Sequence, residues 1–271
     1  MKRRALTGLV VFLLLLTAVP LRATAEVSSS RDKTASAGDA DRTMAWHVQA
    51  GALVLAWPEY EGADKYEVKA FPLIGAEYKR RFFINFINGA GMYLLNSGAL
   101  QLGTGVAYAF GRDEDDSAHL RGLGHIDGGA LFNLFGEYTS GPYSLGAKYL
   151  NQVSGDDTGY MVEVGAGYHS RVRGDLILKY GMQATYADSD YMASFFGVSQ
   201  AQSLASGLVG YSAAAGFKSA ALQLRSIYLL SPKWAMQGHI KLERLLGDAA
   251  DSPVVQDERQ VSLVLGLVYH F

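Results

Sequence analysis

The chain has 271 residues, no cysteine, and 24 Lys+Arg against 26 Asp+Glu. The lack of cysteine removes disulfides, zinc–thiolate sites and cysteine nucleophiles together, and the acidic balance argues against a nucleic-acid partner. Although the chain is 49% hydrophobic, it has no long apolar run after its first 25 residues, so helical membrane spans are not expected.

Residues 1–25 have a basic start (Lys2, Arg3, Arg4), an apolar run from Leu9 to Leu16 and a small-x-small end at Ala23-Thr24-Ala25. This is the pattern of a cleaved secretory signal peptide. It holds four of the 24 Lys+Arg and none of the 26 Asp+Glu, which leaves 20 against 26 in the exported chain. Residues 26–45 lack aromatic residues and apolar periodicity, and read as a flexible periplasmic tail.

From Trp46 onward apolar and polar residues alternate in segments of roughly ten to fourteen residues, the period of a β-strand with two unlike faces. In the last segment Val261, Leu263, Leu265, Leu267, Tyr269 and Phe271 share one face, and Gln260, Ser262, Val264, Gly266, Val268 and His270 share the other. Strands of a soluble sandwich are shorter, near five or six residues, whereas about nine to eleven residues cross a bilayer. Tyr, Trp and Phe gather towards segment ends, as in an interfacial girdle. The polar face carries Lys69, Asp127, Glu137, Lys148, Glu163, His169, Lys179, Arg225, His239, Lys241 and Glu243. Such charges are costly in lipid and suit a lumen polar network.

The expected fold is therefore all-β: a transmembrane antiparallel up-and-down β-barrel over residues 46–271, with about twelve strands and ten as the alternative. The spans are 46–57, 65–76, 82–94, 99–111, 123–139, 142–152, 159–172, 174–187, 207–218, 220–230, 233–246 and 259–271. Short turns fall at 78–81, 140–142, 218–220 and 231–233, and long loops at 112–122, 188–206 and 247–258. With this count, strand parity puts the first two long loops on the periplasmic side, against the usual rule that long loops face outward.

Several stretches then resemble one family: "WPEYEGADKYEVKAFPLIGAEYK" (57–79), "YMASFFGVSQAQSLASGLVGY" (191–211), "LLGDAADSPVV" (245–255) and the terminal "YHF". The P-x-Y-x-G-A-D, F-G-V and G-D-A-A-D-S-P blocks are similar, in the same order, to those of the MipA/OmpV family, and the resemblance covers about Val48 to Phe271. It implies an outer-membrane barrel, in some members a scaffold for peptidoglycan-remodelling enzymes and in others a porin-like, adhesin-like or stress-responsive protein. The implied partners are a lytic transglycosylase and a penicillin-binding protein. Outer-membrane lipid, lipopolysaccharide and the assembly machinery are also expected, the last reading Tyr269 and Phe271 as a C-terminal signal.

Individual constellations point to structure more than chemistry. Consecutive carboxylates at Asp113–Asp116 lack the alternating spacing of a calcium loop and suit a solvated turn. His169 and His239 with Asp127 or Glu243 are the available parts of a hydrolase, yet no serine stands beside them in a recognisable motif. No enzyme activity, metal or cofactor is expected. "SQAQ" at 199–202 is a capping box that starts a short helix to about Ser206, either plugging the lumen or lying at a rim. Pro58, Tyr60, Gly62, Asp64, Phe196, Gly197, Asp248, Asp251, Ser252 and Pro253 are candidate partner-binding loop residues. Three functions remain: a periplasmic docking scaffold, a narrow pore for small solutes, and, more distantly, a barrel hydrolase.

Overall fold

The computed structural model describes residues 46–271. The signal peptide and tail expected over 1–45 lie outside the described residues. Twelve antiparallel strands close into one barrel, each beside its sequence neighbours, with β1 sealed against β12. They are β1 (Trp46–Pro58), β2 (Tyr66–Tyr78), β3 (Phe82–Asn85), β4 (Gly89–Asn96), β5 (Leu100–Ala109), β6 (Gly129–Ser140), β7 (Tyr143–Gln152), β8 (Tyr160–Arg173), β9 (Leu176–Ala187), β10 (Gly216–Leu229), β11 (Trp234–Leu245) and β12 (Arg259–His270). Three short α-helices, α1 (Ser189–Phe196), α2 (Gln200–Ser206) and α3 (Gly247–Ala250), and one 3-10 turn (Ala118–Leu120) lie in the loops of the described residues. No helix among the described residues is long and apolar enough to cross a membrane.

Alternation decides which side chains face out. Val68, Ile74, Leu145, Met182, Leu222 and Leu265 are each more than 60% exposed and form an outward apolar band. Aromatic pairs flank it: Trp46–Tyr78, Tyr143–Tyr168 and Trp234–Tyr269 at one end, Tyr108–Phe110, Tyr149–Tyr160 and Tyr186–Phe217 at the other. An apolar belt between two aromatic girdles is the surface a bilayer requires.

The strand total agrees with the sequence reading, but through two compensating differences. The expected single strand 82–94 is two short strands, β3 and β4. Asn85 turns the chain, its Oδ1 accepting the N–H groups of Ile87 and Asn88, and Gly89 follows at φ +68. A Cβ there would meet Val106 O at 1.9 Å, so only glycine brings the returning chain this close to β5. Conversely, the expected turn at 218–220 is the interior of one strand, β10, where a register shift between Phe217 and Ser219 marks a bulge. The bulge buries consecutive Lys218 and Ser219 on the inner side, re-aiming a side chain as bulges do.

Splitting one strand and fusing two keeps twelve but moves the loops between them to the other end. Segments 59–65, 110–128, 153–159, 188–215 and 246–258 all emerge at one end, the loop end. Segments 79–81, 97–99, 141–142, 174–175 and 230–233 lie at the turn end, with Trp46 and Phe271. The parity argument that put two long loops opposite the third is thereby overturned. One stretch of wall is thin: β2 pairs with β3 only over Ala76–Tyr78. Pro72, which has no N–H to donate, lies on the part of β2 paired to β1 alone, the edge-like position where a strand proline is tolerated.

Candidate functional site: a capped lumen with two unlike halves

The loop end is closed by its own loops. Capped by the Asp188 carboxylate, which accepts the Tyr191 N–H, α1 turns Tyr191, Met192, Phe195 and Phe196 inward. These side chains pack on Ala109, Leu131, Leu150, Met161, Ala187 and Leu245, the inward residues at the loop ends of six strands. Beside this plug, Tyr60, Ala63, Leu120, Leu123, Val198 and Val254 from four loops form a second cluster. Polar links tie the cap together. Tyr60 donates to Val254 O (3.1 Å) and to Gln256 Oε1 (2.8 Å). Ser252 donates to Phe196 O (2.6 Å), Gly62 N–H to Gln260 Oε1 (3.1 Å) and Arg112 Nη1 to Phe195 O (2.7 Å). Burial shapes their acidities: desolvation lowers Arg112 to about 10, with Tyr60 and Tyr191 opposing, and raises the Tyr60 and Tyr191 hydroxyls well above their usual range.

The three motif blocks of the sequence thus meet in one packed cap. That corrects the expectation of a binding surface: Pro58, Tyr60, Gly62, Phe196, Gly197 and Ser252 are buried inside it. Asp64 and Asp251 are exposed, and Asp248 and Pro253 are half-buried. Asp248 accepts the Ala214 N–H (2.8 Å), holding the β9–β10 loop. The capping box expected at Ser199 and Gln202 is present, but α2 buries no residue and lies at the rim, so α1 is the plug.

Beneath the cap lies a chain of buried charges. Glu61 in the β1–β2 loop pairs with Lys218 and accepts the Tyr191 hydroxyl (3.0 Å). Ser219 donates to Glu243 (2.6 Å), which also pairs with Lys241 (2.8 Å). Lys148 donates to Asn88 Oδ1 (2.6 Å) from the β3–β4 turn and stands opposite Glu163 across the β7–β8 ladder. Each cation is opposed by a carboxylate or amide oxygen, as a low-dielectric interior demands.

The turn-end half is built differently. Glu137, His169, Lys179 and Arg225 are half-buried there around a cleft of about 90 Å³ lined by Gly146, Gly165, Gly167 and Gly181. His239 is 3% exposed, and neither ring nitrogen has a hydrogen-bond partner.

Of the eleven lumen residues read from the sequence, ten lie on inward positions, with Lys69 paired to Glu67 on β2. Asp127 does not: it is exposed in the β5–β6 loop, because β6 begins at Gly129 rather than near residue 123. The suggested hydrolase parts stay apart, His169 opposite Lys179 and His239 opposite Arg225 and Val264. The carboxylates of 113–116 serve the loop itself. Glu114 accepts the N–H groups of Gly122 and Gly124, which holds it below the usual carboxylate range, and Asp116 accepts that of Asp113. Among the described residues no group of three or more His, Asp or Glu is placed to hold a metal. Sequence reasoning missed Glu61, Tyr191, Lys218 and Asn88. Glu61 carried a signal, lying between two motif residues; Lys218 carried none, because only the bulge turns it inward.

A closed antiparallel barrel with an apolar belt, two aromatic girdles and a charged lumen is an outer-membrane β-barrel protein. A family model described as "MltA-interacting protein MipA" matches residues 50–271, and the chain belongs to that family. It is similar to the outer membrane protein OmpV of Vibrio cholerae serotype O1, 25% identical over 181 residues. That match covers 66% of each chain, a little under two thirds of the relative's length. Among solved structures, an outer membrane channel from Pseudomonas putida F1 is 11% identical, covering 88% of this chain and 100% of that one at TM-score 0.42. OmpT of Vibrio cholerae is 11% identical, with coverage of 83% and 96% at TM-score 0.37.

Proposed function

We propose that this protein is a non-enzymatic outer-membrane scaffold whose periplasmic face docks a cell-wall-remodelling enzyme, a lytic transglycosylase in the first instance. The observation that carries this reading is the plugged loop end: a lumen closed by α1 and a buried charge chain suits a rigid platform better than an open pore. Long loops face outward in such barrels, so the turn end is the periplasmic face. It presents exposed Lys79, Arg80, Arg81, Arg171, Arg173 and Lys233, a cationic rim for an acidic partner surface. The family's description supplies the partner class. The docking surface is thus the rim of short turns, where the sequence had suggested long periplasmic loops. Tyr269 and Phe271 meet edge to face at this end and serve as the assembly signal. Export by a cleaved signal peptide, and contact with outer-membrane lipid and lipopolysaccharide, complete the reading.

Affinity capture from solubilised envelopes tests it. A transglycosylase or penicillin-binding protein should be recovered with the native barrel and lost when Arg80, Arg81, Arg171 and Arg173 are changed to Glu. Recovery of neither enzyme with the native barrel rejects the scaffold. A narrow pore is the second reading, favoured by the lumen cleft at the turn end. Planar-bilayer recordings of the refolded protein decide it, and a silent membrane eliminates it.

A further inference from the structure

The geometry points to a binding site for one small carboxylate or phosphate group in the turn-end half of the lumen, between Lys179 and Arg225. Strand register assembles it. Arg225 is opposite Lys179 across β9–β10, His169 is opposite Lys179 across β8–β9, and His239 is opposite Arg225 across β10–β11. Four consecutive strands therefore each contribute one basic side chain at one level of the barrel. Lys179 and Arg225 thus stand directly opposed, a local concentration of positive charge, with Glu137 lining the same cleft beside both.

Space and donors coincide there. Lys179 and Arg225 line the glycine-walled cleft of about 90 Å³ and also a smaller cavity of about 30 Å³. The larger space is several times the roughly 10–15 Å³ needed to admit one water, room for a carboxylate or phosphate group. At two of the four cleft glycines the surrounding atoms do not require glycine, while Gly165 and Gly167 are held close by Met182 O and Ser144 Oγ. A Cβ at Gly181 would come no nearer than 3.6 Å to Ala166 O, and one at Gly146 no nearer than 3.5 Å to Gly136 O. Glycine there leaves volume open.

His239, opposite Arg225 on β11, lines the smaller cavity beside the same two cations and adds a fourth basic side chain at this level. Arg225, held by a hydrogen bond to Gln223 Oε1 (3.0 Å), offers the planar fork that takes an oxyanion in bidentate fashion.

Calorimetric titration of the refolded full barrel in zwitterionic detergent with inorganic phosphate, and separately with acetate, tests the site. Saturable binding at one site per barrel is expected, weakened at least tenfold in Arg225→Gln. Gly181→Leu, which fills the cleft without removing a charge, should abolish it and keeps the test decisive if Arg225→Gln fails to fold. In nanodiscs, loss of the phosphate signal with anionic but not zwitterionic lipid would make a headgroup the natural source, and an unchanged signal a free anion. Absence of saturable binding to the native barrel, or binding that survives Gly181→Leu in a folded protein, overturns the proposal.

Discussion

The two halves of the lumen solve the same packing problem in opposite ways. Toward the loop end the inward positions carry Leu131, Leu150, Met161 and Leu245, filled against by α1, and the charges pair as Glu61–Lys218 and Lys241–Glu243. Toward the turn end the inward positions of β7–β9 carry Gly146, Gly165, Gly167 and Gly181 around a cleft where Lys179 is opposite Arg225, while Phe83, Tyr93 and Val268 fill the lumen on the other strands. A barrel wall is continuous through both halves, so stability and vacancy are set by what projects inward. Rigidity belongs to the loop half, and room for a ligand to the turn half.

The sharpest way to break this contrast is to remove one partner of the buried pair at the cap. Lys218→Ala leaves Glu61 buried without its cation, a loss of about 3–5 kcal/mol. Urea unfolding of the refolded barrel measures it, and Glu61→Leu with Lys218→Met should recover most of the loss. A single-variant effect below about 1 kcal/mol would place the pair in solvent rather than in a dry cap. Next in size is Gly105→Ala, whose Cβ would lie 2.6 Å from Asn88 O where the β3–β4 turn tucks against β5. Overpacking there costs about 1–3 kcal/mol by the same assay. Ser252→Ala removes the donor to Phe196 O inside the cap and falls in a similar range of about 1–3 kcal/mol.

What could be read in advance follows from the same contrast. The barrel, its faces and ten of the eleven lumen residues were legible because a period of two states directly which side chains share a face. The two strand errors have local causes. "NFIN" hides a turn inside apolar residues, since Phe86 and Ile87 keep the strand-like pattern while Asn85 bends the backbone. "KSA" imitates a turn because the bulge puts Lys218 and Ser219 on one face and breaks the alternation. The two mistakes cancelled in the strand total and not in the topology, so the count was right while two of the three long loops were put at the end opposite the third. The plug was illegible for another reason. An eight-residue helix is too short to declare itself by periodicity and is held by tertiary contact with strand ends that only the closed barrel brings together.

The β5–β6 loop offers a gentler probe of the cap. Glu114 is held below its usual 4.5 by the amides of Gly122 and Gly124. A depressed carboxylate stabilises the fold above its unfolded pKa, and the contribution is lost as pH falls below about 4.5 through the folded value. The protection of those two amides, taken as hydrogen exchange relative to the intrinsic rate at each pH, should therefore fall on acidification below that pH, while protection in the β11–β12 ladder is kept. Glu114→Gln should give the faster rate already at neutral pH. Equal rates in native and variant protein would detach this carboxylate from the loop's order.

The smallest expected effect tests the turn half directly. Gly181→Ala adds a Cβ whose nearest neighbours are Ala166 O at 3.6 Å and the Gln223 Cβ at 3.8 Å, ordinary contact distances. Its unfolding free energy should stay within about 0.5 kcal/mol of the native value, the range of substitutions that touch no packed feature. Set beside Gly105→Ala, it separates two meanings of an inward glycine. One glycine makes way for protein already there, and the other keeps a space open. If Gly181→Ala cost as much as Gly105→Ala, the turn half would be as tightly packed as the loop half, and the cleft between Lys179 and Arg225 would have no room for a ligand.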